Sequence, residues 1–200
     1  MPKITAVKAA VKTRGRYNIF IDGLYTFSLD ELQVVNAGVR VGKELSEAEI
    51  TALKDESTFG KAYARALEYI MRRPRSVKEL RDYAWRKQWG EPLSERVVNR
   101  LIEKGYLNDT KFAEAWVRHR SLGKPISERK LRLELKQKGV ADEIINEVLA
   151  QSEAFDELAG LRQLVAKKRA RYSDEQKFMA FLARQGFGFD AIKQVLSEDI

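Results

Sequence analysis

The chain has 200 residues, of which 44% are hydrophobic and none is cysteine. This hydrophobic content suits folded domains with buried cores and argues against wholesale disorder. The lack of cysteine excludes disulfides, thiolate nucleophiles and cysteine-based metal sites, and it agrees with a reducing cytoplasm. No run approaches about 18 consecutive apolar residues, so we expect a soluble cytoplasmic protein without a membrane span.

The formal net charge of +8 is unevenly distributed along the chain. Residues 1–56 are neutral, whereas residues 57–110 carry twelve basic and seven acidic side chains. Residues 111–154 and 155–200 have net charges of +2 and +1. An excess of positive charge favours binding to nucleic acid or to another acidic surface, but it does not identify which of the two.

Residues 1–56 are predicted to form a small β-rich module. The pair Asp22-Gly23 is typical of a type I′ hairpin turn, because glycine adopts positive φ without strain. Because a two-stranded hairpin is marginal alone, further strands are expected at residues 4–11 and 39–45. The turn predicts three cross-strand pairs: Ile21 with Leu24, Phe20 with Tyr25, and Ile19 with Thr26.

Two helices are predicted in the same module. The first covers residues 30–37 and stops at Gly38. The second begins at a capping box formed by Ser46 and Glu49 and is expected to extend to about Asp55. Because the module has no charge bias, a docking or scaffolding role is favoured over direct contact with nucleic acid.

A helix break and a restart lie close together around Pro74. Apolar residues from Phe59 to Ile70 recur at helical spacing, and Pro74 cannot continue their helix. Ser76 and Glu79 form a capping box that begins the next helix. The result is a tight helix-to-helix elbow rich in arginine, which suits phosphate or a carboxylate-rich protein surface.

From residue 57 onward a helical pattern recurs three times. Helices beginning at Ser76, Ser127 and Ser173 each run for about three turns and stop at a glycine. Each is preceded and followed by another helix of related pattern. Such short helices are stabilised mainly by packing, so we expect Leu101 and Leu135 to be buried and neighbouring repeats to support one another.

The predicted fold is therefore mainly α. Three tandem three-helix repeats at 57–110, 111–154 and 155–200 follow the β-rich (α+β) module at 1–56, in an elongated arrangement. We expect the protein to be a monomer.

Catalysis finds little support in the sequence. His119 is the only histidine and lies between two arginines, so we expect a solvated side chain on a helix surface. No phosphate-binding glycine loop occurs, and the carboxylates are scattered at helical surface positions, for example Glu128 four residues before Arg132. We expect a protein that is not an enzyme, with no cofactor, no metal and no catalytic residue.

Basic clusters are the remaining candidates for a site. Each lies at or near the junction between the first and second helices of a repeat, and arginine predominates at the elbows, which suits bidentate contacts with phosphate or carboxylate. A single cluster, taken alone, is explained equally well as a binding site and as a solvated helix face. The candidates are Arg72, Arg73, Arg75, Arg81, Arg118, Arg120, Lys124, Arg129, Lys130, Arg132, Lys167, Lys168, Arg169 and Arg171.

Aromatic residues among the cations have two interpretations. Exposed rings stack on bases, but helical spacing favours burial in the core. Tyr106 follows Gly105 and is predicted to pack at a helix end. Trp85 and Trp89 remain open between the two interpretations.

Three motifs resemble those of the RecX family. They are A-L-E-Y-I-M-R-R-P-R-S-V-K-E-L-R from Ala66 to Arg81, G-Y-L-N-D-T-K-F-A from Gly105 to Ala113, and L-R-L-E-L-K-Q-K-G-V from Leu131 to Val140. The resemblance covers about residues 57–200. Residues 1–56 resemble the β-rich extension that some longer members carry.

This resemblance implies a non-catalytic regulator of the RecA recombinase. Such proteins bind in the groove of the RecA–DNA filament and inhibit strand exchange and the coupled ATPase activity. Single- and double-stranded DNA would be weak, nonspecific partners. The alternative is a helix-turn-helix-like regulator that acts directly on DNA, since short helices joined by tight turns also suit that class. A nuclease is disfavoured by the lack of clustered acidic metal ligands.

Overall fold

The computed structural model describes residues 1–11 and 13–198. The chain divides into two compact units. The first contains Met1–Arg72 together with Ala84–Leu101, and the second contains Arg73–Tyr83 together with the chain from Ile102 onward. The architecture confirms a mainly α fold of three-helix repeats preceded by a small antiparallel sheet.

The N-terminal sheet has three antiparallel strands in the order β1-β2-β3, with bounds Ile4–Ala9, Arg16–Ile21 and Leu24–Asp30. Asp22 and Gly23 both have positive φ, at 49° and 82°, which confirms the tight hairpin turn. The two pairs nearest the turn also match the prediction. The third does not, because a bulge between Ile19 and Phe20 places Ile19 opposite Phe27.

The strand expected at residues 39–45 is wrong. This segment makes only one isolated bridge among the described residues, between Lys3 and Glu44. Its backbone turns at Gly42, where φ is 90°, so the extended conformation is interrupted. Val39 and Leu45 are nevertheless buried beside the sheet, and their burial explains the alternating apolar pattern.

The first two helices begin at capping boxes. α1, Glu31–Asn36, is capped by Asp30, and α2, Glu47–Met71, is capped by Ser46, whose hydroxyl accepts from the Glu49 N–H at 3.2 Å. The expected end of α2 near Asp55 is wrong, because the helix continues for 25 residues.

The continuity of α2 has a local cause. No glycine or proline interrupts residues 55–59, and the hydroxyl of Ser57 donates to the carbonyl oxygen of Ser28 at 2.6 Å, which ties the helix to β3. The module boundary expected between residues 56 and 57 therefore falls inside a helix.

The core of the N-terminal module lies between one face of the sheet, the 39–45 segment and the first half of α2. Gly60 allows close packing of α1 on α2, since a Cβ atom there would lie 2.7 Å from the Gln33 amide. The buried apolar residues are Ile4, Ile19, Ile21, Phe27, Leu29, Val39, Leu45, Ile50 and Leu53.

Eight further helices follow in the described chain. Their bounds are α3 Val77–Arg86, α4 Glu91–Glu103, α5 Asp109–Ser121, α6 Glu128–Gln137, α7 Asp142–Gln151, α8 Glu157–Lys168, α9 Glu175–Arg184 and α10 Phe189–Glu198, with a short 3-10 helix, Arg169–Arg171, after α8. Ser76 and Ser127 cap α3 and α6 as predicted. The third predicted cap is wrong, because Asp174 rather than Ser173 accepts from the N–H of Lys177.

The second and third repeats each have their own apolar core. In the second repeat, Phe112, Leu131, Leu135 and Ile145 come together from α5, α6 and α7. The third repeat places Leu161, Phe178, Leu182 and Ile192 at equivalent depth from α8, α9 and α10. Leu101 and Leu135 are both fully buried, as the sequence predicted.

Candidate interaction surface at the helix junctions

The same serine contact joins successive repeats in the second unit. The hydroxyl of Ser76 accepts from the Glu79 N–H and donates to the carbonyl oxygen of Lys138 at 2.6 Å. The hydroxyl of Ser127 makes the matching bond to the carbonyl oxygen of Gln185 at 2.9 Å. Each serine therefore begins its own helix and also holds the end of the second helix of the following repeat.

An acidic side chain adds a second contact at each of these junctions. The N–H of Val77 donates to Oδ1 of Asp109 at 2.9 Å, and the N–H of Glu128 donates to Oε1 of Glu157 at 2.9 Å. Both carboxylates belong to the first residue of the next repeat's first helix. Because the first N–H groups of a helix have no partner within it, these carboxylates satisfy donors that would otherwise need water.

Two glycines permit the close approach at these junctions. Gly139 and Gly186 have φ of 78° and 96°, which favours glycine. A Cβ atom at Gly139 would lie 2.5 Å from Cβ of Lys78, and one at Gly186 would lie 2.4 Å from Oγ of Ser127. These glycines were predicted as helix stops, and they also provide space for the neighbouring repeat.

A largely buried carboxylate lies at the centre of the first junction. Glu79 is ion-paired with Arg73 and with Lys138, each at 2.9 Å, and its side chain is 12% exposed. Burial raises the pKa of Glu79, but the hydrogen bonds from Arg73 and Lys138 outweigh that effect and hold the pKa at about 2. Arg73 is therefore part of the packing between repeats.

A half-buried group of side chains extends this network into α5. The ammonium group of Lys138 lies 5.1 Å from the centre of the Trp116 ring, and the indole N–H of Trp116 donates to Glu134 at 3.0 Å. Arg120 makes a two-point contact with the same carboxylate, with both distances at 2.9 Å. Arg120, like Arg73, is therefore bound to a carboxylate within the chain.

Other sequence candidates also have partners within the chain. Arg132 pairs with Glu128 at 2.7 Å, the spacing predicted from the sequence, and also donates to Asn146. Arg72 pairs with Glu68 at 2.6 Å on an exposed face. Arg169 lies 5.7 Å from the centre of the Phe178 ring.

Two of the first-elbow candidates lie beside the start of α3. Arg75 is half-buried in the loop before this helix. Arg81 is exposed on α3, and its charge acts on Asp109.

Seven candidates form neither an ion pair nor a contact with an aromatic ring among the described residues, and we call them the junction cations. They fall at the elbows of the second and third repeats, where α5 leads to α6 and α8 leads through the 3-10 helix to α9. All are exposed except Lys168, which is half-buried. The junction cations are Arg118, Lys124, Arg129, Lys130, Lys167, Lys168 and Arg171.

The aromatic residues divide in a way that the sequence did not reveal. Tyr106 is 55% exposed, so its predicted packing is wrong; the turn at Gly105 instead directs Leu107 into the core. Trp85 is 81% exposed, whereas Trp89 is half-buried. His119 is exposed on α5, as expected.

Within residues 1–11 and 13–198, no group of three or more His, Cys, Asp or Glu side chains is arranged to hold a metal ion. None of the helices in those residues combines the length and the apolar content that a membrane span requires.

Four family models match successive parts of the chain. They describe the regulatory protein RecX N-terminal domain at residues 2–46 and the first, second and third three-helix domains of RecX at residues 62–101, 108–149 and 156–196.

Curated relatives agree along nearly the whole chain. It is 33% identical to the regulatory protein RecX of Bacillus pumilus, covering 99% of this chain and 78% of that protein. It is 31% identical to the regulatory protein RecX of Bacillus subtilis, covering 99% of this chain and 77% of that protein. It is 34% identical to the regulatory protein RecX of Listeria monocytogenes serovar 1/2a, covering 98% of this chain and 75% of that protein.

Solved structures show the same fold. A crystal structure of regulatory protein RecX superposes with a TM-score of 0.85 at 26% identity, covering 98% of this chain and 100% of the other. RecX from Lactobacillus salivarius gives a TM-score of 0.64 at 26% identity, covering 70% of this chain and 96% of the other.

Proposed function

The chain belongs to the RecX family, and from that membership we propose that it regulates the RecA recombinase by binding the RecA–DNA filament. It acts in the cytoplasm as a monomer, without a cofactor and without catalysis of its own. The expected outcome of binding is inhibition of strand exchange and of the coupled ATP hydrolysis.

The observation that carries this proposal beyond family membership is the set of junction cations. A charge that is already paired within the fold has little left to offer a partner, whereas an exposed cation without an ion pair is available for an intermolecular contact. Arg118, Lys124, Arg129 and Lys130 provide four such charges around a single elbow.

The chemistry of these side chains fits both components of a nucleoprotein filament. Guanidinium groups bind carboxylates and phosphates through two parallel hydrogen bonds, and lysines act as point charges toward either. Contacts to DNA phosphates alone would be weak, independent of sequence and sensitive to salt. Simultaneous contacts to protein and DNA would add affinity and would restrain neighbouring protomers, which accounts for inhibition of a reaction that requires filament rearrangement.

The test is RecA-catalysed ATP hydrolysis on single-stranded DNA, measured with and without this protein at substoichiometric concentration. The proposal predicts a reduced rate and reduced strand exchange under the same conditions. Unchanged rates in both assays would contradict it.

The competing function, a helix-turn-helix-like regulator acting directly on DNA, gives a different result. It requires sequence-specific binding in the absence of RecA that survives moderate salt. The RecA-directed function requires binding to naked DNA that ignores sequence and weakens steeply as salt increases.

A further inference from the structure

The first unit contains a cleft that the junction cations do not use. It lies between the sheet face opposite the module core and the middle of α2, and it has a volume of about 600 Å³. Arg16, Asn18 and Tyr25 contribute to it from the sheet, and Lys61 and Arg65 contribute from α2. Nothing in the sequence pattern indicated this cleft, because its two walls lie some forty residues apart in the chain.

Arg16 is a buried cation in the wall of this cleft. It is 8% exposed, and its Nε atom donates to the hydroxyl of Ser28 at 3.3 Å while Nη2 donates to the Ser28 carbonyl oxygen. Nη1 has no acceptor among the described residues. Burial lowers the pKa of Arg16, and Asp30, whose charge opposes this shift, forms no ion pair with it in the described chain.

The carbonyl oxygen that Arg16 contacts is itself held by a second hydrogen bond. The same carbonyl oxygen of Ser28 accepts from the hydroxyl of Ser57 on α2 at 2.6 Å. The guanidinium group is therefore anchored, before any ligand arrives, to a carbonyl oxygen that α2 also holds, and a preorganised donor loses little conformational freedom on binding.

Lys61 and Arg65 supply two more positive charges at the cleft. They lie four residues apart on α2, so their side chains are neighbours on one helix face at a spacing of about 5–6 Å between Cβ atoms. Both are exposed, and neither forms an ion pair in the described part of the chain. Glu68, a carboxylate in the cleft wall, is paired with Arg72 at 2.6 Å. The cleft therefore carries a net positive charge.

Tyr25 adds an aromatic surface beside these charges. Its side chain is 54% exposed, and the edge of its ring is supported by Phe20, with 6.0 Å between the ring centres. Together with the amide of Asn18 and the apolar side chains of Ala10, Val11 and Ala64, it gives the cleft the mixed lining that suits a nucleobase.

We propose that this cleft binds the sugar-phosphate backbone of single-stranded nucleic acid, with Arg16, Lys61 and Arg65 on successive phosphates and Tyr25 stacked on a base. The inference deepens the proposed function and rests on it for its biological setting, since it gives the filament's DNA a contact on the N-terminal module. A single strand fits better than a duplex because stacking on Tyr25 requires an unpaired base face. An acidic peptide would satisfy the cations but would leave the aromatic and apolar lining unused.

The test is direct binding of the full chain to a fluorescent oligothymidylate, followed by anisotropy without RecA. We expect K61Q/R65Q to raise the Kd about tenfold near 50 mM salt and to reduce the salt slope by about 1.4, the value for two lost phosphate contacts on a single strand. Tyr25→Leu should raise the Kd about fivefold through lost stacking. The matched control is R40Q/K54Q, which removes two exposed cations of the same unit that lie outside the cleft and should change the Kd less than twofold.

Photocrosslinking locates the strand independently. An oligonucleotide carrying 5-iododeoxyuridine should crosslink to Tyr25, and Tyr25→Leu should abolish that product. Equal loss of affinity in K61Q/R65Q and R40Q/K54Q would overturn the proposal. It would also be overturned if K61Q/R65Q lost affinity for duplex and for single-stranded DNA to the same extent, or if oligoglutamate of equal total charge displaced the oligothymidylate. Because RecA is absent from these assays, they test binding at the cleft separately from regulation of RecA. Either proposal can fail while the other is still tested.

Discussion

The ammonium nitrogen of Lys138 lies 2.9 Å from Oε1 of Glu79, although the two residues are 59 positions apart in the chain. This contact joins the end of the second repeat's central helix to the first turn of α3. Arg73 completes the site from the other side at 2.9 Å. The acid that was predicted as half of a local capping box is thus also the centre of a contact between repeats.

Glu79→Gln should reduce the free energy of unfolding by about 2–3 kcal/mol, because Arg73 and Lys138 lose the largely buried carboxylate that they share, while the cap contact to Ser76 can persist. Urea denaturation followed by circular dichroism measures the change. Glu114→Gln is the control, since Glu114 is exposed and forms no ion pair in the described residues. A loss below about 0.5 kcal/mol in Glu79→Gln would show that the ion pairs contribute little.

The stabilisation by Glu79 should depend on pH. Its folded-state pKa of about 2 lies below the ordinary value of 4.5, so the contribution is fully present above about pH 5 and is lost as the pH falls toward 2. Burial raises the pKa of Asp109, opposed by the Val77 N–H and Arg81, so that group acts in the opposite direction and reduces the overall slope. The stability difference between wild type and Glu79→Gln should therefore shrink to about half or less between pH 7 and pH 3. A difference independent of pH would contradict this assignment.

Gly139→Ala should be more destabilising than Gly105→Ala. Both glycines have similar positive φ, 78° and 71°, so the backbone strain of about 1–2 kcal/mol is common to both variants. A Cβ atom at Gly105 meets nothing within 4 Å, whereas one at Gly139 meets Cβ of Lys78 at 2.5 Å. We expect an additional cost of about 1–3 kcal/mol for Gly139→Ala in chemical denaturation. Equal costs would mean that the junction relaxes freely.

Leu135→Ala should reduce the free energy of unfolding by about 2–5 kcal/mol, because this side chain is fully buried between α5, α6 and α7. Arg118→Ala, on an exposed face of α5, should change it by less than about 0.5 kcal/mol. Thermal unfolding of the two variants provides the comparison. Similar melting temperatures would show that the second repeat lacks a tightly packed core.

The sequence predicted those parts of the fold whose signals are local. Ser46 and Ser76 were identified as caps because a glutamate follows each of them three residues later, and Ser127 because it begins a recurring helical pattern. The recurring pattern failed at Ser173, since the adjacent Asp174 is also a capping residue and only the backbone geometry decides between them. The end of α2 was predicted near Asp55, but no glycine or proline interrupts the chain there, so the helix continues.

The site was less predictable, because identical residue types have different roles. Arg118 and Arg120 lie two residues apart in α5, yet Arg120 is bound by Glu134 whereas Arg118 forms no ion pair among the described residues. The contacts of Ser76 with Lys138 and of Ser127 with Gln185 link residues about sixty positions apart, and they involve backbone atoms that carry no sequence signal. Only contacts in three dimensions separate the arginines that are paired within the fold from those that are available to a partner.

The most direct test is the affinity for preassembled RecA filaments on single-stranded DNA, measured by cosedimentation. K124Q/R129Q removes two junction cations, and K104Q/K111Q removes two exposed lysines of the same unit away from the elbows. The expected result is at least a tenfold weaker affinity for K124Q/R129Q, with K104Q/K111Q within twofold of wild type and both variants folded. Equal affinities for the two variants would contradict the assignment of filament binding to the junction cations.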